Sequence, residues 1–209
     1  MKPVTGAKVG GGGNGHKAMK WVRPDRSLLD RCIRKDRAAQ FELFKLLYDL
    51  LMSVARRYEP DAQLQKALMN TAYLRILDNL HAWQPFAPFD AWCRRVAVNT
   101  AINDYRAKAS VARTVSLEPF HETSANTIPN EVEEAIEAEE LQRLVDDLPE
   151  MSRRVFNLYA VDGWKHREIA AELGISEGTS KWHVSHARQQ LQLRIAEQYS
   201  ALVIIPSTT

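Results

Sequence analysis

The chain has 209 residues, of which 45% are hydrophobic and 26% charged, with a formal net charge of +2. This composition is ordinary for a soluble protein of one or two domains and excludes a collagen. No stretch reaches the roughly 18 apolar residues of a membrane span, and the basic N-terminus precedes glycines and not an apolar run, so we expect a cytoplasmic location. Cys32 and Cys93 lack C-x-x-C or metal-ligand spacing, which indicates reduced thiols and excludes a disulfide scaffold.

Charge is distributed unevenly along the chain. Residues 1–109 hold 19 basic and 10 acidic side chains, residues 110–150 hold 2 and 11, and residues 151–209 hold 7 and 5. Basic outer parts favour binding of a polyanion, and the acidic middle favours a repelling or masking connector. The distribution is compatible with nucleic-acid binding without requiring it.

The first 108 residues predict a basic arm followed by a helical domain. Residues 1–24 carry five basic residues, no acid and a run of glycines, which indicates disorder. Apolar residues then recur every three or four positions, as in Phe41, Phe44, Tyr48 and Leu51, and predict a helix over 36–58. Pro60 interrupts the pattern, and further helices are predicted over 62–80 and 89–108, separated by a loop that carries Trp83 and Phe86. We therefore predict an all-α domain over 25–108.

The following residues predict an acidic linker and then a second helical domain. Residues 109–137 contain Ser, Thr, Pro and a run of glutamates, which is typical of a flexible linker. Over 138–197, Pro149 precedes a helix that Gly163 closes, and a short helix then ends at Gly174. Ser176 begins the last helix. A short helix, a glycine turn and a longer helix predict a helix-turn-helix, in a four-helix or winged-helix-like form, whose second helix enters the DNA major groove. Residues 198–209 are left as a tail.

The last helix offers hydroxyl, ammonium, guanidinium and imidazole groups on the side that we predict to be exposed. Such groups at a helix N-terminus reach phosphates and base edges together. A solvated polar face on a small bundle is the alternative interpretation. The candidate DNA contacts are Thr179, Lys181, Trp182, His183, Ser185, His186 and Arg188.

Two segments resemble a known family. The segment LPEMSRRVFNLYAVDGWKHREIAAELGISEGTSKWHVSHARQQL is similar to the promoter-binding domain of bacterial sigma factors of the extracytoplasmic function (ECF) group, in the sigma-70 family. The segment FDAWCRRVAVNTAINDYR resembles the end of their N-terminal domain, with Trp92, Asn99 and Arg106 at family positions. The resemblance covers about residues 27–108 and 138–194, and its two motifs occur in the family's order.

This resemblance implies that the N-terminal domain binds the clamp helices of the largest subunit of core RNA polymerase and helps to melt the minus-ten promoter element. The C-terminal helix-turn-helix would read the minus-thirty-five element of promoter DNA. Aromatic residues beside a basic helix are suited to an unpaired strand through stacking and phosphate attraction. The candidates are Trp83, Phe86, Arg94, Arg95, Asn99 and Arg106; packing of the two aromatic side chains onto the bundle is the alternative for them. An anti-sigma factor is a further partner that the resemblance implies.

The sequence departs from the family on the surface that would meet the polymerase clamp. Ala67, Asn70 and Thr71 stand where the family usually has acidic, Gln and Glu residues, so we expect core binding to depend also on the Leu face of the preceding helix, including Leu47 and Leu50. Lys165 replaces the usual Ser or Thr cap of the first helix in the helix-turn-helix. The departures leave open a sigma-derived DNA-binding regulator that does not engage core polymerase.

An enzyme is the least favoured class. The six histidines are not accompanied by the carboxylate or cysteine clusters that a metal site or acid–base catalysis needs. We therefore expect no catalytic residue, no metal and no cofactor.

Overall fold

The computed structural model describes residues 24–113 and 138–203, which form eight α-helices and no β-strand. The all-α fold expected from apolar spacing is confirmed over these ranges. The basic arm up to residue 23, residues 114–137 of the linker and the tail beyond residue 203 lie outside the described residues.

Four helices make up the N-terminal part, and aspartates begin three of them. They are α1 (Arg26–Ile33), α2 (Arg37–Tyr58), α3 (Ala62–Asp78) and α4 (Phe89–Arg113), with a 3-10 turn at Leu80–Ala82. The carboxylates of Asp25, Asp36 and Asp61 each accept a hydrogen bond from the backbone of the following first turn, at 2.8–3.2 Å. The predicted start of α2 is therefore confirmed, whereas α4 runs five residues past the predicted end at Lys108. Residues 109–113 contain no Pro or Gly to stop it.

Helix α2 lies at the centre of the N-terminal core. Leu43 and Leu47 are fully buried, and they belong to one apolar cluster with Ile76 of α3 and Ile102 of α4. Leu50 is 6% exposed. The prediction that Leu47 and Leu50 take part in polymerase binding is therefore wrong, because the wide apolar stripe of α2 that contains them is covered on several sides by α1, α3 and α4.

Four further helices make up the C-terminal part. They are α5 (Ala138–Asp146), α6 (Glu150–Phe156), α7 (His166–Leu173) and α8 (Glu177–Val203), and a π-helical turn, Asn157–Val161, extends α6. Two glycines link these helices with backbone that L-residues rarely adopt, at φ 73° for Gly163 and 67° for Gly174. Residues of α5, α6 and α7 pack on the buried side of α8, which fixes the orientation of its other side.

Candidate nucleic-acid interface

The turn between α7 and α8 has the geometry of a helix-turn-helix. Gly174 ends α7 in the left-handed conformation, and the Ile175 amide donates to the Ala170 carbonyl at 3.1 Å. The Ser176 hydroxyl accepts from the Thr179 amide at 2.9 Å, so the predicted cap of α8 is confirmed. At the start of α7, the Lys165 side chain cannot accept a hydrogen bond, but the Glu168 carboxylate accepts from the Lys165 amide at 2.9 Å. Half of a capping box therefore remains.

The exposed side of α8 presents most of the residues expected there. Lys181 and Arg188 are exposed, whereas Thr179, Trp182, Ser185 and His186 are partly exposed. The indole of Trp182 stacks on the imidazole of His186, with centroids 4.8 Å apart and planes at 6°. This stack gives the helix a flat aromatic surface beside the exposed Lys181 and Arg188.

His183 is the exception on this helix. The prediction that it lies on the exposed side is wrong: the residue is 3% exposed, and its Nδ1 lies 3.0 Å from the Ser152 hydroxyl of α6. Burial, and to a smaller extent the nearby His186, lower the pKa of His183 to about 4. The ring is therefore neutral near pH 7 and offers DNA no accessible edge.

A second histidine that the sequence analysis did not single out supports the same helix pair. The Nδ1 of His166 lies 3.0 Å from the hydroxyl of the fully buried Ser180, and its ring stacks on Tyr159 at 4.4 Å. Burial lowers the pKa of His166 as well, and the charge of Lys181 acts in the same direction. Ser180 and His183 occupy the same stripe as Val184, Ala187 and Leu191, and this spacing is the signal that could have placed both inside.

Two basic residues near the start of α4 line a cleft between the N-terminal and C-terminal parts. Arg94 and Arg95 share this cleft of about 1190 Å³ with Arg56 of α2 and with residues 161–165 of the C-terminal part. Asn99 is exposed one turn farther along α4. Arg106 is near the other end of the helix, where it pairs with Glu172 of α7 at 3.4 Å. The four polar candidates of α4 therefore extend along a large part of one helix.

The two aromatic candidates of the loop before α4 are placed differently. Trp83 is partly buried, donates from its indole nitrogen to the Ala87 carbonyl at 3.0 Å and packs edge-on against Phe89. Phe86 is 87% exposed. Packing onto the bundle, the alternative interpretation, therefore describes Trp83, whereas Phe86 remains accessible for stacking.

The three residues of α3 at which the sequence departs from the family are accessible to solvent. Ala67, Asn70 and Thr71 are exposed, and the Thr71 hydroxyl donates to the Ala67 carbonyl of its own helix at 2.9 Å. On the same helix, Leu64 is 45% and Leu74 is 59% exposed. The surface of α3 therefore offers apolar side chains beside small polar ones.

Two protein-family models match this chain. Sigma-70 region 2 matches residues 43–111, and Sigma-70 region 4 matches residues 138–191. The ECF RNA polymerase sigma-E factor of Escherichia coli K12 is 26% identical over 181 residues, covering 82% of this chain and 94% of the relative. The ECF RNA polymerase sigma factor SigE of Mycolicibacterium smegmatis is 24% identical over 162 residues, covering 76% and 62%.

Solved structures that resemble the chain include CnrH in complex with the cytosolic domain of CnrY, at 21% identity and a TM-score of 0.43, covering 83% of this chain and 97% of that one. Another is the sigma factor RpoE with the anti-sigma factor NepR from Bartonella quintana, at 17% identity and a TM-score of 0.45, covering 74% and 95%.

The ordered pair of helical units, the second a helix-turn-helix, defines the class of two-region transcription initiation factors. Within it, the chain belongs to the ECF group of the sigma-70 family and is an alternative sigma factor that directs transcription initiation. No helix of residues 24–113 and 138–203 combines the length and the apolar character that crossing a bilayer requires.

Proposed function

We propose that this sigma factor binds core RNA polymerase through α3, reads the upstream promoter element with α8 and holds the melted strand on α4. The observation that carries the proposal is the presence of both sigma regions in one chain, with an accessible polar and aromatic surface on each. In this proposal the chain acts in the cytoplasm as a subunit of RNA polymerase that has no enzymatic activity of its own. An anti-sigma factor is a proposed partner on the grounds of family membership.

Binding to core polymerase distinguishes the two candidate functions, a sigma factor and a sigma-derived DNA-binding regulator. Ala67, Asn70 and Thr71 lack the charged groups usual in the family, and this favours a sigma-derived regulator that does not engage polymerase. The exposed Leu64 and Leu74 favour binding, because apolar side chains on the same helix give a protein partner area to bury. We propose that this apolar contact replaces the missing polar ones.

Co-migration with sigma-free core polymerase on a sizing column at physiological salt tests this step. We expect a stable complex with the unmodified chain and its loss with Leu74→Glu. Ile33→Glu on α1 is the matched control, because Ile33 is 48% exposed on another helix. A folded chain that binds promoter DNA but never co-migrates with polymerase would favour the regulator instead.

Upstream promoter recognition is proposed for the exposed side of α8. Lys181 and Arg188 supply the charge that phosphates attract, and the Trp182–His186 stack supplies a flat surface for base edges or methyl groups. Arg188→Ala is expected to weaken binding to a duplex carrying the upstream element and to reduce the slope of log K against log salt by about 1. Arg194→Ala, which removes the same charge farther along α8, is the control. Equal losses for both variants would contradict the assignment.

Strand binding is proposed for Arg94, Arg95, Asn99 and Arg106 of α4, together with Phe86 of the preceding loop. Cationic groups along one helix can bind the phosphate backbone of a single strand. The aromatic ring of Phe86, which is 87% exposed, can stack on an unpaired base. Arg95→Ala and Asn99→Ala are expected to reduce open-complex formation on a promoter by more than they reduce closed-complex binding. Permanganate footprinting beside a gel-shift assay separates the two steps, and equal loss in both assays would count against the role. Arg34→Ala, an exposed arginine between α1 and α2, is the control.

A further inference from the structure

Trp182 is held on the exposed side of α8 by two imidazoles. Its indole stacks on His186, with centroids 4.8 Å apart, and meets the ring of His183 edge-on, with centroids 4.9 Å apart and planes at 73°. His183 is 3% exposed, and its Nδ1 lies 3.0 Å from the Ser152 hydroxyl of α6. The orientation of the indole is therefore restricted from the interior of region 4 as well as along α8.

Packing of the apolar core does not account for this indole. Four tryptophans lie in the described part of the chain, and three of them, Trp83, Trp92 and Trp164, pack against the large apolar cluster. Trp182 belongs neither to that cluster nor to the smaller one that contains Ala187. Its ring contacts imidazoles, and part of its surface faces solvent. A contact with a ligand therefore explains this side chain better than the stability of the fold does.

Trp182 lies in the part of the recognition helix that reaches the bases. In a helix-turn-helix, the N-terminal residues of the second helix contact base edges in the major groove. Trp182 is the sixth residue of α8, which begins at Glu177. Lys181 and Arg188 are exposed on the same helix and are suited to phosphates. With α8 in the major groove, the indole therefore lies at the base edges.

The C5-methyl group of thymine is the apolar feature that base pairs present in the major groove. Guanine, adenine and cytosine present hydrogen-bond donors and acceptors there, and thymine presents a carbonyl oxygen beside its methyl group. The indole has one N–H donor and no acceptor. Against a polar base edge its ring would displace water from groups that it cannot satisfy, whereas against a methyl group both surfaces are apolar. Among the four bases, the chemistry of this side chain thus favours thymine.

We propose that Trp182 is a specificity-determining residue of α8 that recognises the C5-methyl group of a thymine in the upstream promoter element. The inference rests on the proposed function, since it requires that α8 enter the major groove of that element. Burial of one methyl group corresponds to about a fourfold gain in affinity. Because the indole is already stacked on His186 before DNA binds, little of this gain is lost in ordering the side chain.

Replacement of a thymidine by deoxyuridine removes only the C5-methyl group and therefore tests this inference. The full chain first selects sequences from a pool of short random duplexes. Each thymidine of the selected duplex is then replaced in turn, and fluorescence anisotropy measures the ratio of the affinities for the thymidine and deoxyuridine duplexes. A general loss of folded protein or of positive charge weakens binding to both duplexes and leaves this ratio unchanged.

Three variants are compared with the unmodified chain. Trp182→Ala removes the indole, and Trp182→Phe keeps a smaller aromatic ring at the same position. Lys181→Ala is the matched control, because Lys181 is exposed, adjacent in the sequence and able to bind a phosphate but not to recognise a methyl group. Circular dichroism with a thermal melt verifies that each variant is folded.

We expect the unmodified chain to bind a selected duplex about fourfold more tightly than its deoxyuridine counterpart at one or more thymidines. Lys181→Ala should weaken binding to both duplexes and keep this ratio, whereas Trp182→Ala should reduce the ratio to about one. Trp182→Phe should keep a ratio above that of Trp182→Ala.

Two results would overturn the inference while recognition of the upstream element stands. One is an unmodified chain that binds the two duplexes equally at every thymidine, and the other is a ratio that Trp182→Ala leaves unchanged. If the full chain selects no sequence, recognition by α8 fails, and the thymine contact fails with it.

Discussion

Protonation of His183 should destabilise region 4 well above the pH at which carboxylates titrate. The folded chain lowers the pKa of this imidazole to about 4, whereas an unfolded histidine has a pKa near 6.5. The unfolded chain therefore binds the proton more readily, so the stabilisation is complete above pH 6.5 and is lost as pH falls toward 4. Two and a half pKa units correspond to about 3 kcal/mol at full loss, and to about 2 kcal/mol between pH 7.5 and pH 5.

The measurement is urea unfolding at several pH values from 7.5 to 5, followed by far-ultraviolet circular dichroism. A change of about 2 kcal/mol lowers the midpoint by about 1 M urea for a chain with a slope near 2 kcal/mol per M. His183→Gln retains a group that hydrogen-bonds Ser152 but does not titrate, so its midpoint should fall much less over this range. His166, whose pKa is lowered in the same direction, accounts for the remaining dependence.

His81→Gln is the matched control for this experiment, because His81 is exposed in the turn after α3. Its variant should follow the pH dependence of the unmodified chain. An unmodified chain as stable at pH 5 as at pH 7.5 would refute the reasoning. So would a His183→Gln variant that loses stability as steeply as the parent, since the proton would then bind elsewhere.

Two further predictions concern the cap of α7 and the buried thiols. Lys165→Ser should stabilise the chain by about 1 kcal/mol, because a serine hydroxyl can accept a hydrogen bond from the first turn of α7 while Glu168 keeps its bond to the backbone. Its urea midpoint should rise, and Lys165→Ala should leave it nearly unchanged. Cys32 and Cys93 are buried, and burial raises the pKa of both thiols, so neither should react with an aromatic disulfide at pH 8 until urea unfolds the chain. Rapid reaction of the folded protein would contradict this placement.

Helix boundaries could be predicted from the sequence because local chemistry determines them. Asp36 and Ser176 cap α2 and α8 through backbone bonds to the next turn, and Gly174 ends α7 with a conformation that favours glycine. None of these signals depends on a distant residue. The all-α fold and the helix-turn-helix follow from them together with the apolar spacing.

The burial of polar side chains was harder to predict from the sequence. His183 carries the same groups as an exposed histidine, and the Ser152 hydroxyl that gives its imidazole a polar partner in the interior lies 31 positions away. Leu47 and Leu50 are the converse case, because a wide leucine stripe does not reveal which of its sides a neighbouring helix covers. The placement of His183 on the exposed side of α8 was wrong because its hydrogen-bond partner in the interior is distant in the sequence.

The contact between the two regions, in which the Arg57 guanidinium donates to the Asp162 carboxylate at 3.1 Å, could not be predicted from the sequence, because its partners are even farther apart along the chain. Arg57 and Asp162 lie 105 positions apart, and an aspartate beside a glycine reads locally as part of a turn. Its partner on α2 has the composition of a solvated helix end, where a basic residue is favoured by the helix dipole alone. Each residue thus has a sufficient local explanation, and only the fold shows that both are buried and paired. Because a buried pair contributes little to net stability compared with apolar packing, a contact of this kind is better suited to setting the relative position of two regions than to holding either one folded.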